Sequence, residues 1–316
     1  MRDDINVRLR FRLWQLAVLA VLLCGAAVGV IRWRRASQPF NAVGLLAALP
    51  ANGATLFYID ADALRRSGIL DLLAGSKAAE EPDYRKFVEQ TGFDYRTDVD
   101  AVAAAFVDGD TYLTVRGRFQ WKLLSSYARS QGGECRDTLC SMPASDKDRH
   151  VSFYPLKTNV LALSVSARPR GAEMIGANQW KNPPALPPEP VWISVPSPVF
   201  SKPGLFPAGT RAFLSPLAQT RNVTFAMGPQ GDRLQLRLEV ACASPGAAAE
   251  MVQQFSSATD LLKKMIQRDH LTPNPRDLSG VLVAGSFQQQ DARVIGTWPV
   301  ERGFITALAS GQIPQP

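Results

Sequence analysis

Histidine is almost missing from this chain: 316 residues carry two, His150 and His270. Two are too few for most metal centres, and a serine–histidine catalyst would have to use one of them. Cysteine is scarce as well, and four in a chain this long are too few for a disulfide scaffold. No Gly-x-Ser-x-Gly elbow occurs, and no Walker or dinucleotide glycine pattern leads from a strand into a helix. Nucleotide cradling and the common serine-hydrolase arrangement therefore lack support, and no cofactor is implied. Charge of one sign is rarer than the formal +7 suggests. Residues 1–35 hold seven arginines against Asp3 and Asp4, which leaves 28 basic and 26 acidic residues in the rest. A body so close to neutral has no electrostatic footprint for a phosphate backbone, so a nucleic-acid partner is rejected.

What the chain does have is one long uncharged run, residues 13–31, reading LWQLAVLAVLLCGAAVGVI. At about 1.5 Å per residue such a helix spans roughly 28 Å, close to the hydrocarbon core of a bilayer. Arginines flank it on both sides, and Trp14 and Trp33 stand where interfacial aromatics usually sit. A cleaved signal peptide is the competing reading. Its small-x-small triplets (Gly25-Ala26-Ala27 and Ala27-Val28-Gly29) fall inside the apolar run, whereas cleavage normally follows it. Leu22 and Leu23 before Cys24 argue against a lipoprotein. The reading is a short tail over 1–12 and an uncleaved single-pass membrane anchor over 13–31. Four arginines precede the run and three follow it, so the positive-inside rule discriminates little. A short tail before a large domain favours a cytoplasmic N-terminus with the bulk exported.

After a juxtamembrane linker over 32–48, two halves are expected, 49–180 and 191–312, joined by a proline-rich connector over 181–190. Residues 183–216 hold ten of the 23 prolines, which remove backbone donors and favour extended chain. In the first half, alternation and turn signals predict strands over 54–60, 99–107, 111–116, 151–154 and 160–166. Helices are expected over 62–73, 82–91, 119–130 and 169–179. In the second half, strands are expected over 191–195, 223–227, 234–242, 281–287 and 292–298. A long helix should run from the Ser244-Pro245 cap to about Arg268, with Met251, Phe255, Ala258, Leu262 and Met265 on one face. A last helix is expected over 301–309. The element order recurs although residue identity barely does. The fold class is α+β: two similar antiparallel-sheet-plus-helix halves, a duplicated pattern. Whether they share one sheet is left open.

The phrases LPANGATLFYIDADALRRSGILDLL and EQTGFDYRTDVDAV, behind a lone N-terminal anchor, resemble a group of uncharacterised bacterial single-pass, membrane-anchored envelope proteins. The resemblance covers mainly residues 49–130. It implies an inner-membrane protein with its bulk in the periplasm and carries no catalytic residues.

Cys135 and Cys140 are the candidate disulfide. They lie in GGECRDTLCSM, and four intervening residues allow a small closed loop in an oxidising compartment. Free thiols or a metal site are the alternatives, although no second ligand pair is suitably spaced. Cys24 and Cys242 read as small packing residues. Asp62 is expected to cap the helix that follows it, with Asp60 beside it at a strand end. Asp108 and Asp110 belong to a hairpin turn around Asp108-Gly109. The mixed run Asp146, Lys147, Asp148, Arg149 and His150 reads as a solvated loop, and His270 as a cation at a helix C-terminus. No catalytic, cofactor-binding or metal residues are assigned. The functional expectation is a non-catalytic, membrane-anchored envelope protein that binds or scaffolds a protein partner. The alternatives are an envelope hydrolase with an unrecognised site and an accessory subunit of a secretion or pilus assembly.

Overall fold

The alternating runs of the sequence assemble into one antiparallel sheet. The computed structural model describes residues 41–50, 52–70, 82–177, 186–202, 216–231, 233–268, 272–274 and 278–309. All of these except Asn41 belong to one compact unit, Ala42–Pro316. The expected anchor lies outside the described residues; among these, no helix is long and apolar enough to cross a membrane. The strands are β1 Thr55–Ile59, β2 Val99–Val107, β3 Asp110–Gly117, β4 Glu134–Arg136, β5 Leu139–Pro143 and β6 His150–Lys157. They continue with β7 Val160–Ser166, β8 Val191–Pro196, β9 Asn222–Gln230, β10 Arg233–Ala241, β11 Ser286–Gln290 and β12 Arg293–Val300. The helices are α1 Ala42–Ala47, α2 Ala61–Arg66, α3 Pro82–Thr91, α4 Tyr95–Asp98, α5 Trp121–Ser130, α6 Pro245–Arg268, α7 Leu278–Val283 and α8 Arg302–Ala309.

Across the twelve strands the order is β11-β12-β10-β9-β8-β1-β2-β3-β7-β6-β5-β4. The two opening strands, β1 and β8, pair antiparallel at the centre, with Leu56 opposite Ser194 and Ile59 opposite Val191. The halves therefore share one sheet. Outward from that seam the order is first, second, third, fifth and fourth strand on each side, and among the described residues the β4–β5 hairpin is an addition of the first half alone.

Strand alternation decides which side each residue faces. Ile59, Val191, Met227, Leu236 and Trp298 are successive cross-strand partners and form one apolar row. On this face α2, α7 and α8 bury Leu64, Val281, Phe304 and Ile305 against Leu234 and Val300. Beside them α6 sets Ala248 and Met251 on Val223, Leu238, Val240 and Val294. In the first half α5 sets Leu124 and Ala128 on Val99, Val115, Phe153 and Leu161. Each large aliphatic side chain buried this way contributes about 1.5–3 kcal/mol.

On the opposite face the first half is also covered. Leu45, Leu46 and Leu49, in and just after α1, are fully buried, and the Thr114 hydroxyl donates to the Leu45 carbonyl at 3.0 Å. The expected linker over 32–48 thus ends early, because its last turn is core. A 3-10 turn, Gly171–Met174, lies on the same side over Ser152 and Ser164, whose hydroxyls are 3.0 Å apart. A side chain at Gly171 would fall 2.2 Å from the Ser166 hydroxyl, so only glycine fits. The second half leaves this face polar: Arg237 bridges Glu239 at 2.8 Å, and Arg293 reaches Glu239 at 3.0 Å.

Four sequence expectations are corrected. The helix expected over 62–73 starts at Ala61 and is broken after Arg66, where Gly68 takes φ +69°; residues 69 and 70 are helical again, and 71–73 lie outside the described residues. The strand expected over 281–287 is helix α7 followed by β11, because Val281 packs into the α2–α8 cluster from a helical turn. The helix expected over 169–179 is only the 3-10 turn. On α6 the buried stripe drifts to Ala248, Met251 and Ile266, which leaves Met265 45 % exposed.

Candidate functional site

Cys135 and Cys140 stand directly opposite each other in the β4–β5 hairpin, a hairpin absent from the sequence expectation, and their sulfurs are bonded. Cys242 is buried under α6, and burial pushes its thiol pKa up, so it is a packing residue held as the neutral form. Cys24 and His270 lie outside the described residues. Among the described residues no group of histidine, cysteine and carboxylate side chains could hold a metal ion.

The helix cap is Asp60 and not Asp62. Because α2 begins at Ala61, Asp60 occupies the cap position and its Oδ1 accepts from the Ala63 N–H at 2.8 Å. Asp62 falls in the first turn and pairs with Arg65 at 3.5 Å and Arg66 at 3.2 Å. Asp108 takes φ 48° in the β2–β3 turn, whereas Asp110 gathers side chains: its Oδ2 accepts from the Tyr112 hydroxyl at 3.1 Å and from Arg168 at 3.2 Å. His150 is half-buried at the start of β6 rather than in a loop. A network the sequence reading missed surrounds Asp94, the cap of α4. Arg96 grips its carboxylate at 2.8 Å and the Tyr84 hydroxyl donates to it at 2.8 Å, and the Arg96 bonds hold Asp94 down to a pKa of about 2. Burial and that same bond to Asp94 push Tyr84 up to about 12.

Concave regions lie at two places among the described residues. One is a groove of about 560 Å³ at the seam of the halves, lined by Tyr58, Asp60, Glu189, Gln235 and three prolines of the connector, Pro187, Pro188 and Pro190. Tyr58 stacks on Trp192 there, and burial together with nearby Asp60 pushes its hydroxyl up to about 12. Asp60 caps α2, and Glu189 reaches Arg237 at 3.4 Å through Oε1 while its Oε2 is buried without a donor.

The other is a cavity of about 250 Å³ in the first half, between the sheet and helices α3 and α5. Its floor includes Val102, Leu113 and Leu163, central-strand residues on the helix-covered face that are nevertheless only half-buried. Its walls are aromatic: Phe87 meets Tyr127 edge-on at 5.1 Å, and Phe93 stacks on Phe119 at 5.3 Å. Every lining residue is apolar or aromatic. Its far end shares Tyr127, Met142 and Val151 with an open basin of about 760 Å³ that carries Asp146 and Arg149. Motif reading had no means of finding this cavity. The one signal was the density of aromatics from Tyr84 to Tyr127, which is equally the signature of a filled core.

No family model matches the chain, and no curated protein matches it. Solved structures similar to it include crystal forms I and III of TP0453. Form I is 11 % identical, with 84 % of this chain and 97 % of that one covered, at a TM-score of 0.46. Form III is 12 % identical, with 84 % and 98 % covered, at a TM-score of 0.45.

Proposed function

We propose that this chain is a non-catalytic binding protein of a bacterial envelope. Residues 13–31 anchor it in the inner membrane, and a duplicated α+β unit stands on the periplasmic side, where it holds or scaffolds another envelope component. The observation that carries this reading is the combination of an uncharged run of bilayer length with a folded body that keeps an apolar cavity open beneath its helices. The bond between Cys135 and Cys140 supports an oxidising compartment. The matching strand order on either side of the β1–β8 seam supports duplication.

Thiol labelling tests the placement. With Cys24 and Cys242 changed to alanine, a membrane-impermeant maleimide should label Cys135 and Cys140 only after reduction, and without permeabilising the inner membrane. Labelling that needs inner-membrane permeabilisation and no reductant would reverse the orientation and remove the envelope setting.

A further inference from the structure

We propose that the cavity beneath α3 and α5 receives the hydrocarbon tail of a single-chain amphiphile, whose anionic head lies in the adjoining basin beside Arg149. This deepens the binding reading above and rests on it.

Three observations converge. The first is the cavity's chemistry. A buried water needs two to four polar partners, and engineered apolar cavities of about 150 Å³ stay dry and take up benzene. This one is larger, about 250 Å³, and is lined by Phe87, Phe93, Leu113 and their neighbours without a hydrophilic side chain. The second is its size. Scaled from the cavity of about 150 Å³ that takes up benzene, about 250 Å³ holds roughly ten carbons, the length of one short chain. The third is its continuation. Tyr127, Met142 and Val151 line both the cavity and the basin, so the apolar space adjoins one that carries polar groups.

Arg149 is the cation at that exit. Its Nη2 donates to the Val165 carbonyl, its contact with Asp110 is long at 3.8 Å, and Asp110 is held more closely by Arg168 at 3.2 Å. Its Nε is buried without an acceptor, and 28 % of the side chain stays exposed. A partly exposed guanidinium that Asp110 holds only loosely, beside an apolar mouth, suits a carboxylate or a phosphate monoester. The one carboxylate lining the basin, Asp146, already accepts from the Asp148 N–H at 3.4 Å.

The test uses the full chain in phosphatidylcholine nanodiscs, irradiated with a diazirine-bearing decanoic acid, with adducts mapped by peptide mass spectrometry. Adducts are expected on the peptides carrying Phe87, Phe93 and Tyr127. Unlabelled straight-chain fatty acids should compete about fourfold better per added methylene, up to roughly ten carbons, and then level off. Decanol should compete at least tenfold less well than decanoate, and Arg149→Gln should cut labelling about tenfold, with Arg149→Lys restoring most of it. A lysophosphatidic acid of equal chain length decides between the two anionic heads, phosphate if it out-competes decanoate and carboxylate if it does not. Leu113→Trp should abolish cavity labelling by filling the space. Should that variant fail to fold, the chain-length plateau and the Arg149 pair still decide. Adducts confined to residues 13–31, or competition that keeps strengthening with chain length, would overturn the proposal. Decanol competing as well as decanoate would overturn the placement of the head. Cavity labelling of a chain that does not integrate into the discs would sink the anchor and leave the ligand assignment standing.

Discussion

Under α6, the sheet residues Val223, Leu238, Val240 and Val294 are between 0 and 5 % exposed. Under α3 and α5, Val102, Leu113 and Leu163 remain half-buried around a cavity. The strand order outward from the seam is the same on both sides, so the difference comes from the roof. Helix α6 has 24 residues and spans about 36 Å, enough to cover strands of eight or nine residues that run about 30 Å. Helix α5 has 10 residues and spans about 15 Å. The rest of the first-half roof is α3 and the aromatic rings of Phe87, Phe93, Phe119 and Tyr127, which line the void. One sheet design thus gives a closed core under α6 and a hollow one under α3 and α5.

The most forceful way to break that contrast is to truncate matched leucines. Leu238, 5 % exposed and packed under α6, should lose about 3–5 kcal/mol on replacement by alanine, because the site cannot collapse. Leu113 already borders empty space, so Leu113→Ala should cost about half as much, since fewer neighbouring atoms lose contacts. Denaturant unfolding of both variants reads the difference. Equal losses would mean that the first-half cavity is closed in solution and that the contrast between the halves is false.

The second contrast is the β4–β5 hairpin, carried among the described residues by the first half alone and closed by Cys135–Cys140. Replacing both cysteines by alanine should lower stability by about 2 kcal/mol, the loop-closure entropy of so short a ring. Hydrogen exchange should quicken in β4 and β5 and leave β9 and β10 unchanged. A loss spread evenly over the sheet would show the hairpin to be integral to both halves.

How much of this was legible in sequence follows from what each signal encodes. Strands β2, β3, β9 and β10 were readable because half-buried positions alternate and because Asp108-Gly109 and Gln230-Gly231 supply turns. The repeated order was readable for the same reason. The shared sheet was not, because the β1–β8 pairing joins residues more than a hundred positions apart and leaves no local trace. Helix α7 was misread as a strand since Val281, Leu282 and Val283 form a β-rich apolar run; tertiary packing against Leu64 and Phe304 overrides that propensity. The hairpin around Cys135 was overlooked because its strands are short and polar. The cavity is the clearest limit: residue types specify that Phe87, Phe93, Phe119 and Leu113 are inside, but not whether they meet.

A smaller effect separates the halves under acid. The first half contains Asp94, held near pKa 2 against an ordinary 3.8 chiefly by Arg96. A depressed carboxylate stabilises the fold above its unfolded pKa and ceases to do so once protonated in the folded state. The stabilisation should therefore be complete above about pH 4 and fade between pH 4 and pH 2. Asp94→Asn should flatten that part of the stability profile while leaving the profile above pH 5 parallel to the parent. An unchanged slope below pH 4 would show that the Arg96 and Tyr84 bonds do not persist in solution.

The finest contrast lies at the seam, where the two opening strands end differently. Strand β1 runs into α2 through Asp60, whose carboxylate caps the helix, whereas β8 runs into a 3-10 turn behind Pro196, which has no capping side chain. A helix N-terminus has N–H groups without intrahelical partners, so removing the oxygen that Ala63 N–H donates to should cost about 1 kcal/mol in Asp60→Ala. Asp62→Ala should cost only a few tenths, because its pairs with Arg65 and Arg66 are exposed ion contacts. Arg65 is in any case fixed by the carbonyls of Arg96 at 2.9 Å and Val99 at 2.6 Å. Thermal unfolding of the two single variants and the double variant reads this directly. A larger loss for Asp62 than for Asp60 would move the cap back to the position that the sequence pattern alone suggests.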